Sequence, residues 1–226
     1  MNEANILVIE RNNIAVSHLQ TGNYQAAVCE LEKALEYLEK QMSYQSQMLS
    51  YKIPGKEISE GTFLRVASVP IAPSTKVEEA SNVFRFYRRA FRVSSYSGST
   101  SMQFCIRAAI VILFNIAIAY QDDAIRRDKM SHFVKALDLY REILFIMNEN
   151  GIKGHLLLLM AISNNMGWIH SYCDNFVQTR ESLFWVHKLV HTCREQATMI
   201  PYDEYKFFSE TVVIFPGDAL TVAPAA

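Results

Sequence analysis

Two histidines and a cysteine near the C-terminus have the residue types and spacing of metal ligands. His187 and His191 are four residues apart, and Cys193 follows them. Side chains four residues apart lie above one another on a helix, so two such histidines can share a metal ion. The stretch reads His-Lys-Leu-Val-His, without the glutamate of an H-E-x-x-H motif or a full set of ligands. A solvent-facing helix is therefore favoured, and we predict neither a metal nor another cofactor.

Cys173 and His170 have the residue types of a nucleophile and its base. No neighbouring residue lowers the thiol pKa in an identifiable way. The chain also lacks the G-x-S-x-G, P-loop and G-x-G-x-x-G motifs. We therefore predict that the protein is not an enzyme and has no catalytic residue. An enzyme of unrecognised type is kept as an alternative, and a polar pocket with convergent titratable groups would identify it.

The stretch from Phe84 to Arg92 concentrates positive charge among aromatic rings. Such a composition can stack nucleic-acid bases and neutralise phosphates, so an RNA-binding helical repeat is an alternative function. A net charge of −1 for the whole chain disfavours nucleic acid as a partner. We instead expect a hairpin face with arginines paired to nearby glutamates. The candidate basic patch is Arg85, Arg88, Arg89 and Arg92, and the expected acidic partners are Glu57, Glu60, Glu78 and Glu79.

Composition places the chain among soluble globular proteins. It has 226 residues, of which 50% are hydrophobic and 20% charged. Four scattered cysteines, without a C-x-x-C pair, are typical of free thiols in a reducing compartment. The N-terminus shows no signal-peptide pattern, and the apolar run 108–120 is short for a membrane span. We expect a cytoplasmic protein without a membrane partner, with the nucleus as the alternative location.

Three stretches of the chain share one pattern. Each begins with an asparagine, an apolar residue and a small residue, and an aromatic residue follows. The starts are Asn13-Ile14-Ala15, Asn115-Ile116-Ala117 and Asn165-Met166-Gly167, and the aromatics are Tyr24, Phe133 and Phe176. Small residues three positions after each aromatic are Ala27, Ala136 and Thr179. The pattern predicts pairs of helices that pack closely at the small residues, with the aromatic filling the gap near the turn.

The turns between these helices are also predicted. Gly22-Asn23 and Asp174-Asn175 supply residues that tolerate a positive φ. The asparagine and the aromatic are 11 residues apart in the first and third copies and 18 in the second. We therefore expect seven extra residues in the second turn.

This pattern, above all GNYQAAVCELEKAL at 22–35, resembles the tetratricopeptide (TPR) family of helix-turn-helix repeats. The layout is also similar to a group of TPR-like proteins of diatoms and related algae, a resemblance that implies no known activity. The TPR resemblance implies a mainly α, single-domain, TPR-like superhelix of antiparallel helix pairs over residues 1–226. The expected parts are repeat 1 at about 5–42, a β-rich insert at about 51–100, repeat 2 at about 102–148, repeat 3 at about 154–196 and a capping helix at about 202–214.

The insert is predicted to form a small β-hairpin. GTFLRVASVPI and NVFRFYRRAFRV are rich in β-branched and aromatic residues, which favours strands. For residues 83–94 a helix is the alternative, because it would place the four arginines on one face.

In a TPR-like array the first helix of each repeat lines a concave groove. The predicted lining is Asn12, Val16, Leu19, Phe114, Ile118, Asn164, Trp168 and Tyr172. Such a lining suits an amphipathic helix or an extended hydrophobic peptide. We therefore expect a non-catalytic interaction module or scaffold that binds a partner peptide or helix in this groove. The alternative is that the insert or the C-terminal helix of the same chain fills it.

Overall fold

A computed structural model describes residues 3–49, 63–73, 82–97, 102–152, 155–195 and 200–213. In these ranges the chain is mainly helical, with one two-stranded antiparallel sheet, as the sequence predicts at this level. The elements are α1 (Glu3–Gln20), α2 (Tyr24–Leu49), β1 (Phe63–Pro70), β2 (Arg89–Ser97), α3 (Met102–Arg127), α4 (Met130–Glu149), α5 (Leu156–Tyr172), α6 (Phe176–Glu195) and α7 (Tyr202–Val213).

The chain divides into two compact units. Unit 1 consists of Met1–Thr75 and Arg88–Asn150, and it holds the pairs α1–α2 and α3–α4 together with the hairpin β1–β2. Unit 2 consists of Lys76–Tyr87 and Gly151–Ala226, and it holds α5, α6 and α7. The insert thus contributes to both units, since its residues 82–87 belong to unit 2 and β2 belongs to unit 1.

The turns that follow α1, α3 and α5 close in the same way. After α1, the N–H of Asn23 donates to the carbonyl of His18 at 2.8 Å, and Gly22 has a φ of +75°. In this motif a hydrogen bond closes a loop of six residues, one of which has a left-handed backbone conformation. The motif satisfies carbonyl groups at the end of the helix. The matching bonds are Asn175 to His170 at 2.8 Å and Lys129 to Ala124 at 3.1 Å, with positive φ at Asp174 and Asp128. The predicted turns at Gly22-Asn23 and Asp174-Asn175 are confirmed.

The prediction of a long turn in the second pair is wrong. Helix α3 continues to Arg127 and α4 begins at Met130, so the extra residues lengthen the helices. Two ion pairs four residues apart support this extension. They join Asp122 to Arg126 at 2.7 Å and Asp123 to Arg127 at 2.8 Å, and pairs at this spacing stabilise helices.

Helix α3 is the core helix of unit 1. It packs against α2, α4 and the hairpin. By length and composition it could span a membrane, with a mean hydropathy of 2.0 over its most apolar 18-residue window. However, 78% of that window is buried within the protein, as expected for a core helix.

The hairpin confirms the strand prediction for the second half of 83–94. Strands β1 and β2 pair antiparallel from Pro70 opposite Arg89 to Phe63 opposite Ser97. Residues 82–88 belong to neither a helix nor a strand, so the helical alternative is wrong. The predicted connection around 72–81 lies outside the described residues from 74 onwards.

The small residues of the pattern are buried, and at Gly167 the close neighbour differs from the predicted one. Ala15, Ala27 and two further alanines of the pattern, Ala117 and Ala136, are completely buried. At Gly167 the close neighbour is not α6 but the ring of Phe84, which a Cβ would meet at 2.4 Å. The aromatic prediction is also wrong in the third copy, because Phe176 begins α6 and is 73% exposed.

Candidate functional site

Five of the residues predicted to line a groove contact the insert of the same chain: Asn12, Leu19, Phe114, Asn164 and Trp168. Seven of the eight are buried, and Tyr172 is half-buried. In unit 1, α1 and α3 pack against β2. In unit 2, α5 binds residues 82–87. These contacts favour the alternative in which the insert fills the predicted surface.

In unit 1, asparagines of α1 and α3 bind the backbone of β2. Asn115 accepts the N–H of Phe91 and donates to its carbonyl, both at 2.8 Å. Asn13 does the same for Val93, at 2.9 and 2.8 Å. Asn12 donates to the Phe91 carbonyl at 3.1 Å and accepts a hydrogen bond from Asn115 at 2.9 Å. The amides of Asn13 and Asn115 therefore each satisfy both backbone groups of one residue.

These contacts complete the free edge of β2. One edge of this strand pairs with β1, and Phe91 and Val93 are two residues apart. Alternate residues of a strand direct their N–H and C=O groups to the same edge, where unpaired groups invite further strands. Asn13 and Asn115 take the place that a third strand would occupy.

In unit 2, asparagines of α5 bind residues 85–87 in the same manner. Asn165 accepts the N–H of Tyr87 at 3.0 Å and donates to its carbonyl at 3.3 Å. Asn164 donates to the carbonyl of Arg85 at 2.8 Å. In return, Asn82 donates to the carbonyl of Trp168 at 3.1 Å. The asparagine that opens each repeat pattern therefore has one role in all three copies.

Aromatic side chains of residues 84–87 are seated between α5 and α7. Phe84 lies against Gly167, and Phe86 lies 5.8 Å from Trp168 between ring centroids. Tyr87 contacts two rings of α7, Phe207 at 5.4 Å and Phe208 at 5.0 Å. In unit 1, the ring of Phe91 lies 4.9 Å from that of Phe114. Side-chain burial thus accompanies each backbone contact.

The arginines of the candidate basic patch bind acceptors within the chain. Arg85 pairs with Glu210 at 2.8 Å, with both side chains about half exposed, and Arg88 pairs with the buried Asp122. The other contacts are Arg89 with Ser68 at 3.1 Å, and Arg92 with Ser17 and Gln20, both at 3.1 Å. The glutamates expected as partners lie outside the described residues. Each of the four guanidinium groups therefore makes at least one contact within the chain.

A buried ion-pair network fastens the hairpin to α3. The side chain of Asp122 is fully buried and binds both Arg88 and Arg126. Both arginines also donate to the carbonyl of Ala72, at 2.7 and 3.2 Å. Burial and the nearby charge of Asp122 raise the pKa of Tyr24, which keeps its phenol neutral. Sequence reasoning missed Asp122, although the spacing Asp-x-x-x-Arg in QDDAIRR indicates an ion pair on a helix.

A cleft of about 410 Å³ opens between α2, α3 and the start of α4. Tyr24 and Tyr120 are among its lining residues. On its wall, Asp123 lies 2.8 Å from Arg127 and 2.9 Å from Nδ1 of His132. The cleft therefore presents aromatic rings together with the Asp123–Arg127 ion pair.

The residues considered for metal binding and catalysis have other surroundings. His191 lies 3.5 Å from Glu195 on the exposed face of α6, whereas Cys193 is buried. Burial and the charge of Asp174 raise the pKa of the Cys173 thiol, which is opposite to what a nucleophile requires. Within the described residues, histidine, cysteine, aspartate and glutamate side chains form no group of three that could hold a metal ion.

No protein-family model, curated protein or solved structure matches this chain. The geometry of the asparagine contacts therefore carries the functional argument. Asn12 and Asn164 were among the predicted site residues. Asn13, Asn115 and Asn165 were recognised only as markers of the repeat, and their recurrence was the available signal.

Proposed function

We propose that this chain is a non-catalytic protein-interaction module whose helices α1, α3 and α5 hold extended polypeptide by its backbone. One observation carries the proposal. Asn13, Asn115 and Asn165 each bind the N–H and the C=O of a single residue. Two groups bound by one side chain fix the direction of the bound chain without reading its side chains, as in recognition by strand addition.

A TPR-like arrangement of the helix pairs is part of this proposal. The common closure after α1, α3 and α5 supports it, as does the burial of the alanines of the repeat pattern. Free cysteines at all four positions fit a reducing compartment, and we propose a cytoplasmic or nuclear location.

Protein is favoured over nucleic acid as the partner because of what the arginines already bind. Arg88 forms an ion pair with the buried Asp122, and 17% of the Arg88 side chain is exposed. Arg85 is more exposed, at 55%, but it faces the carboxylate of Glu210. Arg85 and Arg88, whose charges these carboxylates neutralise, therefore contribute little to the phosphate contacts on which nucleic-acid affinity depends.

Site-specific photo-crosslinking in the native lysate tests this function. Phe114 and Trp168 are buried, so truncating them would chiefly measure unfolding. Instead, a photoreactive residue replaces Ile14, which is 49% exposed beside Asn13 on α1. The matched control carries it at Phe145, which is 64% exposed on α4.

We expect a light-dependent adduct with a defined protein at position 14 and not at position 145. Circular dichroism of both variants establishes that the helices are retained. Adducts that are the same at both positions, or absent from both, would contradict a role for the asparagine-bearing side of α1.

A further inference from the structure

Residues 82–87 are held in unit 2 by side chains rather than by a sheet. They belong to neither a helix nor a strand. Their backbone is bound through the amides of Asn164 and Asn165, and their rings contact α5 and α7. Their release would therefore break no ladder of strand hydrogen bonds.

The unit 2 seat sets definite requirements for any chain that occupies it. The residue at the position of Tyr87 must have a free N–H, because Asn165 accepts a hydrogen bond from it at 3.0 Å. Proline is therefore excluded there. The ring of Phe84 fills the space that Gly167 leaves, so an aromatic side chain is favoured at that position.

Charge adds a further requirement between the aromatic positions. Arg85 pairs with Glu210 at 2.8 Å and lies with its guanidinium carbon 5.1 Å from the centre of the Phe207 ring. A cation above an aromatic face and beside a carboxylate is attracted by both. The seat thus prefers the order aromatic, basic, aromatic, aromatic that Phe84 to Tyr87 display.

We propose that residues 82–87 are an internal stand-in for an extended segment of a partner protein with this aromatic-basic-aromatic-aromatic order, which displaces them from α5 and α7. The proposal rests on the proposed function and names the partner class and the regulation of one of its sites. On displacement, the partner segment makes the same kinds of contact with α5 and α7 that residues 82–87 lose. The internal segment therefore has chiefly the advantage of its effective concentration, on the order of millimolar for a short tether.

Fluorescence titration with a peptide of residues 82–88, NVFRFYR, tests the proposal. 4-Bromophenylalanine replaces the phenylalanine at position 86 of this peptide and at position 91 of its control, because bromine quenches a tryptophan that it contacts. The protein carries Trp185→Phe, a change at a side chain that is 44% exposed on α6. Trp168, which contacts Phe86 and stacks on Tyr172 at 5.2 Å, is then the one tryptophan reporter. The matched control is the peptide of residues 89–95, RAFRVSS, whose sequence belongs to unit 1.

We expect saturable quenching of Trp168 emission by the brominated ring of the bound peptide, half complete at roughly millimolar peptide. The control peptide should give no change. A peptide with an N-methylated Tyr87 should bind at least about tenfold more weakly, because one hydrogen bond to a buried acceptor is worth about 1.4 kcal/mol or more. In the same mixture, hydrogen exchange at the protein's own Tyr87 amide should accelerate, which reports displacement.

Three outcomes would overturn the proposal. They are an unchanged Trp168 signal at tenfold higher peptide concentration, equal binding of the N-methylated peptide, and unchanged exchange at Tyr87. Concentration-dependent dimerisation that the peptide abolishes would instead assign the seat to a second copy of the chain. A negative peptide result leaves the proposed function standing, because crosslinking at position 14 probes α1 in unit 1.

Discussion

Asn115 and Phe91 form a closed pair of hydrogen bonds, in which one side-chain amide binds both backbone groups of one strand residue at 2.8 Å. Both residues are buried. Water therefore cannot replace the amide when it is removed, and the pair is the point at which α3 and the hairpin depend most directly on each other.

Replacement of Asn115 by leucine should destabilise unit 1 by about 2–4 kcal/mol. The change keeps the approximate volume but leaves the N–H and C=O of Phe91 with fewer partners, and unmade buried hydrogen bonds cost about 1–3 kcal/mol each. Urea denaturation followed by circular dichroism measures the effect. Asn13→Leu is the matched control, because Asn13 is only half-buried and water can reach Val93. Equal costs for the two variants would contradict the role assigned to burial.

Gly167→Ala should destabilise unit 2, although a helix intrinsically favours alanine over glycine. Alanine is favoured over glycine inside a helix by about 1 kcal/mol, so a packing-neutral site would become more stable. Here the added methyl group meets the ring of Phe84 at 2.4 Å, and overpacking costs about 1–3 kcal/mol. Denaturation of the variant, compared with Gly167→Ala in a Phe84→Ala background, separates the two effects. The double variant should be more stable than Phe84→Ala alone. If Gly167→Ala still lowers the free energy of unfolding in that background, Phe84 is not the cause of the loss.

The repeat pattern predicted the helix pairs well because it depends on local spacing. The small residues, the turn residues Gly22 and Asp174 and the asparagines lie within a few helical turns of one another. Two predictions about local structure were wrong, the long second turn and the buried aromatic at Phe176. The residues around Asp122 extend α3 through ion pairs, and Phe176 lies at an exposed helix start.

The sequence did not predict the hydrogen-bond partners of the asparagines, because each partner is distant from its asparagine along the chain. Asn13 and Val93 are 80 residues apart, and Asn165 and Tyr87 are 78 apart. No periodicity links positions at such separations. In addition, an asparagine that binds backbone leaves no mark on the side-chain type of its partner. The sequence therefore left open whether the predicted groove is empty or filled by the insert.

Asp122→Asn should destabilise unit 1 by about 2–4 kcal/mol and loosen the hairpin. A buried charge that loses its counterion is costly, although Arg88 and Arg126 remain 17% and 25% exposed and can be partly solvated. Glu210→Gln, which breaks the exposed pair with Arg85, should change stability by less than about 0.5 kcal/mol. Denaturation midpoints of both variants and hydrogen exchange of β2 give the comparison. A similar small effect in both variants would show that the Asp122 network does not fasten the hairpin.

Glu30 should make the pairing of α1 and α2 sensitive to acid. Hydrogen bonds from Lys33 and Arg11 lower the pKa of this carboxyl from its ordinary value of 4.5. A lowered pKa means that the folded state favours the charged form, so the stabilisation is complete above about pH 4.5 and is lost as pH falls through the folded-state pKa. The wild type should therefore exceed Glu30→Gln in stability near neutral pH, and the difference should shrink below about pH 4.5. Urea denaturation of both proteins between about pH 3 and 7 measures this difference. A difference that stays constant across that range would mean that the charge of Glu30 does not contribute.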